Sequence, residues 1–197
     1  MHATPQPQVH GRIVPVKFVI AGGFGVGKTT FVGAISEIEP LRTEAAMTSV
    51  SSGVDDVTHV GSKTTTTVAM DFGRITVDET LVMYLFGTPG QDRFGFMWDD
   101  ICTGALGAVV LVDTRRVDQC FPACDYFEAK GVPFVVGVNN FEGAPRYAVE
   151  EVREALGVGA HVPVIECDAR AKPSVKQALI TLLESLVAQA RVREGVG

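Results

Sequence analysis

No apolar stretch of the sequence approaches the roughly 20 residues that a membrane-spanning helix needs. Basic residues are also in short supply: 17 Lys and Arg stand against 23 Asp and Glu, a formal net charge of −6. Neutralising a nucleic-acid backbone takes a basic surface, so nucleic acid is excluded as the main partner. Nucleotide binding survives an acidic total, because it needs only a local nest of N–H groups and one or two cations. Aromatics make up 8% of a chain that is 46% hydrophobic, which implies an aliphatic core. The four cysteines, Cys102, Cys120, Cys124 and Cys167, fit no metal-ligand spacing and read as reduced, buried thiols. The four histidines, His2, His10, His59 and His161, show neither metal nor triad spacing. Residues 1–12 contain no signal-peptide core and read as a flexible N-terminal tail. His2 stands where N-myristoylation requires Gly, and Glu194 to Gly197 hold no prenylation Cys. The expectation is a cytoplasmic protein with no direct membrane insertion, taken to the inner face of the membrane, if at all, by a partner.

What is present is an alternation of strands and helices. Val16 to Ala21 is a short apolar strand, Gly22 to Gly27 a glycine-rich turn, and Lys28 to Ile38 a helix with Phe31, Val32, Ile35 and Ile38 at helical spacing. Pro40 to Lys63 is polar, weakly periodic and expected to be a long surface loop. Thr64 to Thr76 and Thr80 to Phe86 read as two strands of a hairpin around a turn at Val77 to Glu79. Apolar strands follow at Ala105 to Val112, Val132 to Val138 and Val162 to Glu166. Helices are expected at Val117 to Lys130, Ala148 to Leu156 and Ser174 to Arg191. Strands apolar on both sides, alternating with helices, imply a parallel sheet covered on both faces.

One motif carries chemistry outright. Gly22-Gly23-Phe24-Gly25-Val26-Gly27-Lys28-Thr29 matches G-x4-G-K-[ST], between a strand and a helix, where its mechanism needs it. The loop's backbone N–H groups are expected to point inward and bind phosphate oxygens, with Gly22, Gly25, Val26, Gly27, Lys28, Thr29 and Thr30 as the phosphate-binding residues. The helix N-terminus adds partial positive charge, and glycine lets the backbone approach closely. Lys28 is expected on the β- and γ-phosphates and the Thr29 hydroxyl on Mg²⁺. The fold class is therefore α/β, a P-loop NTPase (Ras-like): a mostly parallel six-stranded sheet, one antiparallel edge hairpin, and helices on both faces. Residues 13–193 form a single such domain.

Phe86-Gly87-Thr88-Pro89-Gly90-Gln91 ends the second hairpin strand and resembles the Asp-x-x-Gly-Gln segment of small GTPases. That resemblance implies that Gly90 senses the γ-phosphate and that Gln91 orients the attacking water, as the catalytic residue. Gly87 stands where the Asp belongs. Asp71 lies on the neighbouring strand, and antiparallel neighbours lie about 5 Å apart, so its carboxylate can serve the same space. The bacterial Mgl-type polarity GTPases also lack the usual Asp and carry one on a comparable strand. The chain resembles still more the GTPase component of the actinobacterial conservon operons. Ala21 to Thr30, Arg42 to Met47, Lys63 to Gly73, Leu85 to Arg93 and Phe94 to Asp100 carry this resemblance, which extends over nearly all of the chain after Val14. It implies a slow GTP hydrolase acting as a switch, GDP and GTP as ligands, and Mg²⁺ held by Thr29, Asp71 and a switch threonine. Thr64, Thr65, Thr66 and Thr67 are all candidates, and the Mgl-type pattern favours Thr67. A roadblock-type regulatory protein and a histidine-kinase-like membrane sensor are the implied partners.

GTPases specify guanine with Asn-Lys-x-Asp. Here Asn139-Asn140-Phe141-Glu142 follows a strand: Asn139 matches, Asn140 removes the lysine stem, and Glu142 is one methylene longer than Asp. A misplaced bidentate contact costs on the order of 1–3 kcal/mol. Cys167-Asp168-Ala169-Arg170 resembles the Ser-Ala-Lys element, with the Ala169 N–H on the guanine O6. Asp168 and Arg170 flank that contact. Phe94, Phe96, Met97 and Trp98 form an apolar cluster after Gln91, either a partner surface or a core-facing helix. Arg93, Arg115 and Arg116 are candidate phosphate-facing cations, with plain solvated arginines as the alternative. Gly87, Asn140 and Glu142 also support a second reading, a pseudo-GTPase with weak or no hydrolysis. A metabolic P-loop kinase would need an Arg-rich lid, which the sequence lacks.

Overall fold

The computed structural model describes residues 13–39, 41–47, 66–90, 97–193 and 195, with the backbone alone for 41–47 and 66–69. The tail at 1–12 and the residues Thr64, Thr65, Gln91, Arg93, Phe94 and Phe96 lie outside the described residues. The elements run β1 (Val14–Ala21), α1 (Lys28–Ile35), β2 (Leu41–Met47), β3 (Thr66–Thr76), β4 (Leu81–Gly87), α2 (Trp98–Cys102), β5 (Gly107–Val112), a 3₁₀ turn (Val117–Cys120), α3 (Phe121–Lys130), β6 (Phe134–Asn139), α4 (Val149–Leu156), β7 (Val164–Cys167) and α5 (Lys172–Arg193). One sheet holds them in the order β2-β3-β4-β1-β5-β6-β7. All six expected strands are present. The seventh, β2, is a correction: it lies inside the segment 40–63 read as a loop, and it pairs antiparallel with β3.

The inner strands are apolar on both sides because helices cover both faces. Val19, Ala21, Val110, Val112, Val136 and Val138 face one core, closed by Phe127 of α3 and by Val152 and Leu156 of α4. Phe18, Ile20, Val109, Leu111 and Val135 face the other, closed by Phe31 and Ile35 of α1 and by Val175, Leu179 and Leu182 of α5. These contributions alternate residue by residue along each strand, as a period of two requires. The helical ones recur at three- and four-residue intervals. The four cysteines are unpaired and buried, in agreement with the thiol reading.

Strand direction positions the site. β1, β4, β5 and β6 are mutually parallel, so their carboxyl ends converge on one edge of the sheet. In open α/β sheets ligands bind in the crevice outside those ends. The β3–β4 hairpin brings a further strand beside β4 in antiparallel register, Phe72 opposite Phe86. Asp78 fixes its turn, accepting hydrogen bonds from Thr80 N at 2.6 Å and Leu81 N at 2.9 Å.

After Gly90, α2 is pinned to α3. Asp99 pairs with Lys130 at 2.8 Å and accepts the Tyr126 hydroxyl at 2.8 Å. Trp98 meets Tyr126 edge-on with centroids 5.2 Å apart and stacks on Phe127 at 6.2 Å. Met97 and Trp98 are thus half-buried against the core, which supports the core-facing alternative for these two. No helix of the described residues is long and apolar enough to cross a membrane.

Candidate nucleotide site

The phosphate loop needs left-handed backbone. Gly22, Gly25 and Gly27 have φ of 128, 73 and 105°, which side chains rarely tolerate. At Gly27 space is also lacking, since a Cβ would stand 2.7 Å from Asn139 Nδ2. The loop and the end of β4 bound a cleft of about 440 Å³, lined by Phe24, Lys28, Thr29, Asp71, Thr88 and Gly90 among others. That lies within the ~300–1,000 Å³ usual for small-molecule sites.

Lys28 is buried and curls over the loop, its Nζ donating to Gly22 O at 2.8 Å and Gly23 O at 2.7 Å. Burial lowers its pKa to about 8, against the opposing pull of Asp71. Gly90 lies directly above, where a Cβ would come within 2.7 Å of the Lys28 amine. The expected phosphate sensor and the expected phosphate lysine therefore share one pocket.

Gly87 and Asp71 explain one another. The Thr29 hydroxyl donates to Asp71 Oδ2 at 2.6 Å. A Cβ at Gly87 would stand 3.1 Å from Asp71 Cβ and 3.2 Å from Oδ2, so the missing side chain on β4 is the space that the β3 carboxylate uses. Thr88 is a residue the sequence reading missed. The residue lines the cleft, and its hydroxyl is buried with no hydrogen-bond partner among the described residues. A buried orphan hydroxyl costs about 1–3 kcal/mol unless a ligand or water satisfies it. Thr67 stands within β3, four residues from Asp71. At about 3.3 Å per residue its Cα lies ~13 Å away, so this conformation does not bring it beside the Thr29–Asp71 pair. No cluster of three or more His, Cys, Asp or Glu able to hold a metal occurs among the described residues. A divalent cation here would draw the rest of its oxygen shell from phosphate and water.

On the base side, Asn139 is a strut. Its Nδ2 donates to Val26 O at 2.8 Å, and its Oδ1 accepts the Ala169 N–H at 3.0 Å. One buried amide thus joins the phosphate loop to the loop after β7, and the Ala169 N–H expected on a guanine O6 is here bonded to Asn139. Asn139→Ala leaves two buried backbone groups unpaired and is expected to lower stability by about 2–4 kcal/mol, read as a drop in the denaturant midpoint. Asn140 is half-buried and its N–H bonds Cys167 O at 2.7 Å, while Glu142 is exposed. Asp168 and Arg170 pair with each other through two bonds of 3.0 Å, and the Arg170 fork holds the Asp168 carboxyl below the usual carboxylate range.

Asp113, also missed, directly follows β5 and is a buried carboxylate. Arg115 takes both its oxygens, at 2.9 and 2.8 Å, holds its pKa low, and lies over the Phe141 ring at 4.3 Å. Arg116 stands 3.6 Å from the same carboxylate and donates to Phe24 O at 3.3 Å. An Asp that follows an all-apolar strand and precedes two arginines was the available signal.

A glycine loop of this geometry, at the carboxyl edge of a mostly parallel sheet, defines a P-loop nucleotide-binding protein with a G-domain-like fold. Residues 20–189 match the model of the family described as "Conserved hypothetical ATP binding protein", and the chain belongs to that family. Over 127 residues it is 29% identical to an uncharacterised protein of Methanocaldococcus jannaschii, covering 64% of this chain and 70% of the relative. Among solved structures, the FeoB G-domain from Methanococcus jannaschii superposes with a TM-score of 0.58 at 14% identity, covering 88% of this chain and 99% of that one. At that identity the likeness shows the fold alone.

Proposed function

We propose that the chain is a small-GTPase-like switch that binds GDP and GTP with Mg²⁺ and hydrolyses GTP slowly. The observation that carries this reading is the Thr29–Asp71 bond of 2.6 Å in the gap left by Gly87. It supplies a hydroxyl and a carboxylate side by side at the mouth of a phosphate loop, a hard-oxygen pair suited to Mg²⁺. Thr88, which also lines this cleft, keeps a buried hydroxyl without a partner among the described residues, in accord with a polar group or water beside it. In this reading Thr29 holds the metal, Asp71 orients Thr29, and Thr67 joins when the triphosphate is present. When bound, Mg²⁺ supplies charge neutralisation on the phosphate oxygens. Lys28 leaves the loop carbonyls for the β- and γ-phosphates, Gly90 donates its N–H to the γ-phosphate, and Gln91 orients the attacking water.

Guanine recognition through Asn139, Glu142 and Ala169 is part of the proposal. The second reading, a nucleotide-binding module with weak or no hydrolysis, draws on exposed Glu142 and on Asn140. The family's description names ATP, which makes ADP the comparison ligand. Titration of labelled GDP and ADP, with and without Mg²⁺, tests both. GDP is expected to bind at least tenfold tighter than ADP and more tightly with Mg²⁺. Equal affinities would remove the guanine assignment, and GDP binding without any phosphate release from GTP would establish the second reading. A roadblock-type regulator and a membrane sensor of the histidine-kinase kind are the proposed partners, on the resemblance to conservon GTPases. They would recruit the protein to the inner membrane face and stimulate its turnover.

A further inference from the structure

We propose that Arg116 is a second cation for the bound phosphates, lent to the phosphate loop from the turn after β5. This inference rests on the reading of the loop as a polyphosphate site and adds a residue to it. Among the described residues that line the cleft, the charged side chains are Lys28 and Asp71, one positive and one negative. A di- or triphosphate with one divalent cation remains negative, and beyond the loop's N–H groups these two side chains add no net positive charge to meet it.

The turn after β5 holds the missing charge at the cleft's edge. Asp113 is buried, and both its oxygens are taken at hydrogen-bond distance by Arg115, whose guanidinium is further fixed over Phe141. Arg116 is left with a 3.6 Å ion pair to Asp113 that makes no hydrogen bond. Among the described residues its one side-chain hydrogen bond runs to Phe24 O at 3.3 Å. The same terminal nitrogen stands 3.7 Å from where a Cβ on Gly25 would lie. Phe24 and Gly25 both line the cleft. A guanidinium has five N–H donors, so most of this one's remain free. Its side chain is 45% exposed, which leaves it able to swing from the rim onto an occupant. Arg115 is the brace and Arg116 the free arm.

The test is titration of GDP and ADP into the full chain, comparing wild type with Arg116→Gln, Arg116→Lys and Lys28→Met. Gln keeps a donor for Phe24 O and loses the charge, whereas Lys keeps the charge and loses the fork. Arg116→Gln is expected to weaken diphosphate binding roughly tenfold, by the same factor for both bases, as a charge-assisted contact to phosphate would. Arg116→Lys is expected to stay within about threefold of wild type. Thermal melting of each variant shows that it is folded, as the exposure of Arg116 implies. If Gln binds as wild type does, or Gln and Lys lose equally, Arg116 only braces the loop and the proposal is overturned. Loss in Lys28→Met with none in Arg116→Gln would overturn it while leaving the phosphate site standing. Failure of the wild type to bind either diphosphate would overturn both.

Discussion

Lys28→Met is expected to lower diphosphate affinity at least 100-fold at pH 7 while the ligand-free protein melts no lower than wild type. Both halves follow from one amine. Lys28 is buried against the loop's own carbonyls, and desolvation brings its pKa to about 8. Phosphate favours its charged form, so the pKa is higher with ligand bound. Affinity should therefore fall as pH rises from about 8 toward the bound-state pKa, by up to about tenfold per pH unit, and should be flat over that range in Lys28→Met. Stability runs the other way. In the unfolded chain the amine returns to its ordinary value near 10.5. Between about 8 and 10.5 the unfolded state then holds more protons, and ligand-free stability from this group rises with pH, by on the order of 3 kcal/mol. Calorimetric titration and denaturant melts at pH 7, 8.5 and 10 measure the two trends. An affinity that ignores pH, or a substitution that leaves binding intact, sinks the assignment.

The second large effect concerns the exchange of a carboxylate between strands. Asp71→Ala is expected to reduce Mg²⁺-dependent nucleotide affinity by about 10–100-fold, since Thr29 loses its 2.6 Å partner. Gly87→Asp alone is also expected to be harmful, costing about 1–3 kcal/mol of stability. Its Cβ alone stands 3.1 Å from Asp71 Cβ, and two carboxylates would then crowd one space. The double substitution Asp71→Gly with Gly87→Asp should do better than either single one. It removes the clash and returns a carboxylate to the same hydroxyl from the other strand. The double-mutant cycle should yield a coupling of at least about 1 kcal/mol. Additive losses would mean that Asp71 and Gly87 do not share a function.

The phosphate loop was legible because its chemistry is local: a strand, three left-handed glycines and a lysine follow each other within a dozen residues. Asp71 was legible at one remove, since the hairpin register carries it to the end of β4 without help from the rest of the fold. Asn139 and Ala169 could be placed by position after successive strands, and the strut they form follows from parallel β6 and β7 ending at one edge. β2 was not legible. Leu-Arg-Thr-Glu-Ala-Ala-Met has no clean alternation and few β-branched residues, and its pairing with β3 is what makes it a strand. Asp113 and the division of labour between Arg115 and Arg116 were hidden for a different reason. Their meaning depends on Phe24, which lies 92 residues before Arg116 and meets it only in the folded sheet. The Thr88 hydroxyl had no sequence signal at all, because burial without a partner is a property of the packed site.

The chain has a single tryptophan, and α2 opens on it. Trp98 is wedged between Tyr126 and Phe127 at the far end of the segment that leaves the phosphate cleft at Gly90. One indole therefore marks the start of α2, with no second tryptophan to dilute its signal when the indole alone is excited. The protein thus carries an intrinsic optical reporter on α2, and no dye has to be attached.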